Sequence, residues 1–185
     1  MDNGASMEQD RISDLPDDII HHILSFLDMT YAVRTCILSR RWKDTWTSMS
    51  NIKLDCRKFK PKREFVEHML THRNDYMEVS EVELRFDRQT DHECVEKIMN
   101  YANLHNARKL TMRCVSRREF PYLFISSGTL KNFILEEDPR YSRYHMDYLR
   151  ELAWDFPALE TLRLRKTRLD DPETRVSIFS PSVST

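Results

Sequence analysis

An α/β fold is expected for this chain: a helical module over residues 11–47, then a repeat array over 48–170 whose strands form a parallel sheet. Three observations predict it. The stretch "RISDLPDDIIHHILSFLDMTYAVRTCILSRRWKDTW" packs three bursts of helical apolar spacing into few residues. Beyond residue 48 a pattern L-x-x-L-x-L, with substitutions, returns five times, and the segments between its first returns have helical periodicity. Residues 1–10 read as a flexible N-terminus and 171–185 as a tail or partial cap.

The first helix is read in "DLPDDIIHHILSFLD". Its proline falls where a first turn tolerates one, acidic residues follow, and Ile19, Ile20, Ile23, Leu24 and Leu27 are its apolar positions. Thr30 is the expected cap of a second helix with Ala32, Val33, Cys36 and Ile37 on one stripe, and Ser39 that of a third carrying Trp42 and Trp46. Segments this small bury too little of their surface to stand alone, so part of the apolar set must face the rest of the chain or a partner.

The repeated strands are read in "MSNIKL" (Met49, Ile52, Leu54), "VSEVEL" (Val79, Val82, Leu84), "ARKLTM" (Ala107, Leu110, Met112), "LKNFIL" (Leu130, Phe133, Leu135) and "LETLRL" (Leu159, Leu162, Leu164). Their last apolar positions are 30, 28, 23 and 29 residues apart, in or just beyond the range of leucine-rich repeats. "PKREFVEHMLTHRN" and "DHECVEKIMNYANLHN" read as helical returns, whereas "EFPYLFISSGTL" is too short and proline-broken for more than an arc. "RVSIF" adds at most one capping strand through Val176 and Ile178.

Composition narrows the function. The chain is 40% apolar and 32% charged, as in ordered globular proteins, and its two glycines, Gly4 and Gly128, are too few for phosphate-cradling loops. A net charge of −1 gives no global field toward nucleic acid or anionic lipid. Cys36, Cys56, Cys94 and Cys114 are widely spaced and read as free thiols of a reducing compartment. With an acidic, polar start and no apolar run of membrane-spanning length, the cytosol or nucleus is the expected location.

"LPDDIIHHILSFL" followed closely by "AVRTCILSRRWKDTW" resembles the F-box, specifically its plant form with "LPDxIIxxILSFL" and "LSRRWKxxW" signatures. "PALETLRL" likewise resembles a recurrent unit of the leucine-rich-repeat region of plant F-box proteins, which often carry a further FBD region. The resemblance implies a three-helix F-box followed by a short leucine-rich-repeat solenoid. It implies docking onto a Skp-type adaptor, and through it onto cullin and RING subunits of an SCF ubiquitin ligase. Carried over residue by residue, the adaptor-binding set is Leu15, Pro16, Ile19, Ile23, Leu24, Val33, Ser39 and Trp42. Relatives commonly read "FLPTKDAV" where this chain reads "FLDMTYAV", so a reshaped turn is expected between the first two helices.

No residue set converges as catalytic machinery would, and neither a metal nor a cofactor is implied. His68 and His72 lie four apart near Glu64 and Glu67, but the spacing is not that of HExxH and a solvated helix face accounts for them. His21 and His22 read as helix surface, Cys94 and Cys114 as small apolar filler, and Arg117 and Arg118 as loop surface. The basic "LSRRWK" run reads as a helix start with solvated arginines.

Strand alternation defines a second surface. If the leucine-like positions point inward, their neighbours form one outward row of Lys53, Glu83, Thr111, Ile134 and Arg163 and another of Asp55, Arg85, Arg113, Glu136 and Arg165. Arg85 and Arg113 then sit about 4.8 Å apart, which is unfavourable unless a carboxylate answers them. Salt bridges to Asp55 and Glu136 are one reading. The other is a substrate-binding set of Arg85, Arg113, Glu136, Arg163 and Arg165 that takes an acidic segment or a small anion.

The expected function is a noncatalytic substrate receptor, with an interaction scaffold outside ubiquitination as the alternative. A chain with an F-box and only about five repeat strands is also expected to compete for the adaptor with longer F-box proteins.

Overall fold

A computed structural model describes residues 11–56, 63–86, 90–114, 125–137, 152–165 and 176–179. The helical module comprises α1 (Asp17–Ser25), α2 (Met29–Arg34), a 3-10 turn at Thr35–Ile37, α3 (Trp42–Thr45) and a second 3-10 turn at Trp46–Ser48. β1 (Asn51–Asp55), α4 (Arg63–Thr71), β2 (Glu81–Phe86), α5 (His92–Leu104), β3 (Lys109–Cys114), β4 (Ile125–Ser126), β5 (Asn132–Glu137), β6 (Leu152–Asp155), β7 (Thr161–Arg165) and β8 (Val176–Phe179) follow.

Five strands make one parallel sheet in the order β1-β2-β3-β5-β7. Its register aligns Leu54, Leu84, Met112, Leu135 and Leu164 as successive partners, the alignment expected from the repeats. Both outward rows are likewise in register, from Lys53 to Arg163 and from Asp55 to Arg165. Period-two alternation is why: slipping any strand by one residue would turn its buried side chains to water.

β4, β6 and β8 form a second parallel sheet. The expected strand at Val176 and Ile178 therefore exists, but it pairs with Leu152 and Trp154 of β6 instead of extending the main sheet. The return segments explain the difference. Those that precede β2 and β3 carry helical periodicity and fold as α4 and α5, whereas the later returns contain short extended pieces that pair with one another.

Asp91 caps α5 by accepting the Glu93 N–H at 3.0 Å. At the other end Asn106 adopts φ 58°, and the Asn106 and Ala107 N–H groups donate to the carbonyls of Asn103 and Ala102. This is a Schellman stop with asparagine in the place glycine usually takes.

One core runs from the helical module into the sheet. Ile20, Leu24, Met29, Ala32, Trp42 and Trp46 join Ile52 and Leu54 of β1, and the cluster continues through Val66, Val95, Ile98, Phe133 and Phe156. Polar bonds fasten the same junction. Asp28, and not the expected Thr30, caps α2: its Oδ1 accepts the Thr30 N–H at 2.8 Å while its Oδ2 accepts the Asp55 N–H of the β1 edge at 2.5 Å. Thr30 is buried inside the helix. Nor does Ser39 cap α3; among the described residues its Oγ makes no hydrogen bond, and its carbonyl accepts the Trp42 N–H. Trp42 Nε1 donates to the Ile12 carbonyl and Arg41 to the Ser13 carbonyl, with Arg41 also paired to Asp17. The arginine expected to be merely solvated thus ties Ser13 and the first turn of α1 to the start of α3.

Candidate functional site

Two surfaces are distinguished by what they leave exposed. The first is on the helical module. Residues 19, 23 and 26 follow helical spacing on one stripe of α1, and residues 20, 24 and 27 follow it about 100° away. The second stripe is internal: Ile20 and Leu24 are fully buried and Leu27 packs on the core. The first stripe faces water, with Ile19 at 41%, Ile23 at 37% and Phe26 at 71% exposure. Ile12, Tyr31, Ile37 and Leu38 of the same module are exposed as well.

The eight nominated adaptor residues are therefore divided. Pro16, Ile19 and Ile23 are exposed, Leu15, Val33 and Ser39 are half-buried, and Leu24 and Trp42 lie inside the chain's own core. Ile37 leaves the stripe assigned to it and is 85% exposed. The 3-10 turn at Thr35–Ile37 advances about 120° per residue against about 100° in an α-helix, which rotates Ile37 outward. Phe26, Tyr31, Ile37 and Leu38 are exposed apolar residues that the resemblance does not place in the adaptor-binding set, and only the observed burial of the Ile20–Leu24 stripe sets them apart.

The second surface is the outward face of the main sheet. Arg85 and Arg113 are adjacent in register, and the carboxylate between them is that of Glu83 on the neighbouring row. Arg85 donates Nε and Nη2 to Glu83 Oε1, Arg113 donates Nη1 to the same oxygen at 2.5 Å, and Arg113 Nε donates to Glu136 Oε2 at 3.1 Å. Glu136 takes the role expected of it, and Glu83 supplies the answer to both arginines. Arg163 and Arg165 on β7 are exposed, and among the described residues no salt bridge reaches them. The sequence-nominated recognition set is thus contiguous on one sheet face.

Where module and sheet meet, a cavity of about 260 Å³ is lined by Phe26, Asp28 and Tyr31 on one side and Lys53, Asp55, Glu83 and Arg85 on the other. Lys53 Nζ donates to the Ser25 carbonyl at 2.7 Å at its edge.

His68 and His72 stack at 3.8 Å, and His72 Nδ1 meets the His68 carbonyl; among the described residues no His, Cys, Asp or Glu cluster could hold a metal. Burial pushes the Cys94 thiol up, consistent with a packing role. Cys114's side chain, Arg117 and Arg118 lie outside the described set. No described helix is long and apolar enough to cross a membrane.

These features define an α/β chain with a helical module that exposes apolar side chains beside a parallel sheet. Residues 12–54 match the F-box domain, a span that runs through β1. An F-box/LRR-repeat protein of Arabidopsis thaliana is 28% identical over 187 residues, covering 98% of this chain and 39% of its own length. Two FBD-associated F-box proteins of the same plant are 41% identical over 70 residues (36% of this chain, 16% of theirs) and 30% identical over 172 residues (85% and 34%). The chain spans about two fifths or less of the length of these relatives. No solved structure matches. The F-box match and these similarities support a plant F-box/leucine-rich-repeat and FBD-type family for this chain.

Proposed function

We propose that this protein is a noncatalytic substrate receptor of an SCF-type ubiquitin ligase, acting in the cytosol or nucleus. Its domains divide at residues 11–47 for a three-helix F-box and 48–170 for a leucine-rich-repeat solenoid, flanked by a start at 1–10 and a tail at 171–185. The F-box holds a Skp-type adaptor, which links it to cullin and RING subunits, and the sheet face holds a protein substrate. Its contribution to rate is proximity, because a substrate lysine held near a charged conjugating enzyme reacts as an effectively intramolecular partner.

The observation that carries this reading is the doubly apolar α1. A surface helix of a self-contained domain needs one apolar stripe, and the exposed Ile19–Ile23 stripe beside the buried Ile20–Leu24 stripe is left over for a partner. Within the nominated set, Pro16, Ile19 and Ile23 make direct contact, while Leu24 and Trp42 support them from below. Co-expression with a Skp-type adaptor and a cullin tests the proposal. Capture of both by this chain is expected; a folded chain that captures neither is an interaction scaffold working outside ubiquitination.

A further inference from the structure

The outward sheet face carries more cation than its own carboxylates consume. Its two rows hold Lys53, Arg85, Arg113, Arg163 and Arg165 against Asp55, Glu83 and Glu136. The carboxylates also lie lower. Glu83 and Glu136 side chains are 15% and 22% exposed, whereas those of Arg85 and Arg113 are 38% and 37% exposed. Among the described residues, donors remain after the internal bonds are made: Arg85 uses Nε and Nη2, leaving Nη1, and Arg113 uses Nε and Nη1, leaving Nη2. On β7, Arg163 and Arg165 are uncommitted among the described residues. The half-buried carboxylates hold the guanidinium planes in place, so an arriving anion meets donors already oriented.

The cavity at the other end of this face is too small for a drug-sized ligand, whose sites begin at about 300 Å³. It suits a single side chain. Phe26 and Tyr31 wall one side of it with aromatic surface, and the charged Asp28, Lys53, Asp55, Glu83 and Arg85 line the remainder beside Leu54. From β2 to β7 is three strand steps, about 14 Å, the reach of four or five residues of extended chain.

We propose that this face receives an extended acidic segment of a protein, with one aromatic side chain of that segment seated in the cavity and its carboxylates over the arginines toward β7. The inference rests on the substrate-receptor reading and names the chemistry of the substrate. A small anion alone would leave the Phe26 and Tyr31 wall of the cavity unused, and nucleic acid is the competing polyanion.

Fluorescence anisotropy of the full chain with a labelled peptide, one tryptophan followed by a run of glutamates, tests it. Binding is expected at low ionic strength and is expected to weaken about tenfold or more as salt is raised, since these charges are exposed. Arg163→Glu with Arg165→Glu, a pair exposed on β7, should weaken the peptide at least about tenfold while the melting temperature and adaptor capture stay unchanged. Replacing the tryptophan by serine should weaken it about tenfold or more, the effect of losing one buried aromatic side chain. The proposal is overturned if the glutamate peptide does not bind, if a lysine counterpart binds equally, or if the double variant binds as wild type does. Tighter binding of a single-stranded oligonucleotide of matched charge would overturn it in favour of nucleic acid. Because adaptor capture is read separately, failure here is distinguishable from failure of the receptor reading.

Discussion

Asp28 joins the F-box to the sheet through a single carboxylate, and replacing it should loosen both at once. One oxygen caps α2 through the Thr30 N–H, and the other accepts the Asp55 N–H on the outer edge of β1. Asp28→Asn keeps one acceptor but presents an NH₂ group where the second is needed. A hydrogen bond to a charged group contributes about 1.5–3 kcal/mol, so a loss in that range is expected. Asp28→Ala also removes the cap, which contributes about 1 kcal/mol more, giving a total of about 2.5–4 kcal/mol. Water reaching the half-buried Asp55 would pull the result to the lower end. Asp28→Ser should recover the cap alone, about 1 kcal/mol relative to alanine. Urea denaturation reads the series, with the midpoint moving and the slope constant. An alanine variant within about 0.5 kcal/mol of wild type, the scatter of ordinary surface changes, would refute the bridging role. Equal losses for asparagine and alanine would show that the cap contributes nothing.

Three further outcomes are expected. Leu135→Asp drives a charge into a site 2% exposed between Met112 and Leu164 and should abolish cooperative unfolding of the sheet; a native melting transition would contradict the inward register. Hydrogen bonds from Lys97, then from Arg63, hold the Glu67 carboxyl below the usual glutamate range, linking α4 to α5. A depressed folded pKa gives stability that is present above the unfolded value and lost as pH falls through the folded one, so urea midpoints should fall with acidification, less steeply in Glu67→Gln and in high salt. An unchanged pH slope in Glu67→Gln would contradict this. Arg73 is 4% exposed; its Nη2 donates to the Met49 carbonyl, while among the described residues Nε and Nη1 find no partner, and burial lowers its pKa. Relief of that burial offsets the roughly 1–3 kcal/mol lost with the Met49 bond, so Arg73→Met should change stability by no more than about 2 kcal/mol, and a larger loss in thermal unfolding would contradict that.

The sheet was legible because its repeats obey two reinforcing periods, one along each strand and one between strands. Leu54, Leu84, Met112, Leu135 and Leu164 could be aligned without coordinates, and the two outward rows followed from alternation. What was missed depends on local geometry. Thr30 and Asp28 are both good caps two residues apart, and the choice between them was made by the Asp55 N–H, a long-range partner. Ile37 was misplaced because a 3-10 turn cannot be told from an α-helix over three residues. On α1 the sequence shows five apolar positions but not which stripe the sheet covers, so Leu24 was grouped with Ile19 and Ile23 although only the latter two reach water. Glu83 was overlooked as the partner of Arg85 and Arg113 because it lies on the neighbouring row.

The central claim is that the exposed α1 stripe is an adaptor-docking surface. Calorimetric titration of a Skp-type adaptor into the full chain, and into Ile19→Asp with Ile23→Asp, tests it most directly. Both side chains face water, so the variant should keep the wild-type melting temperature, a control that Leu24→Asp could not offer. If each residue is a buried anchor of the complex, the loss is about 2 kcal/mol apiece, or roughly a thousandfold in affinity for the pair. A folded double variant that binds the adaptor as tightly as wild type would contradict the account.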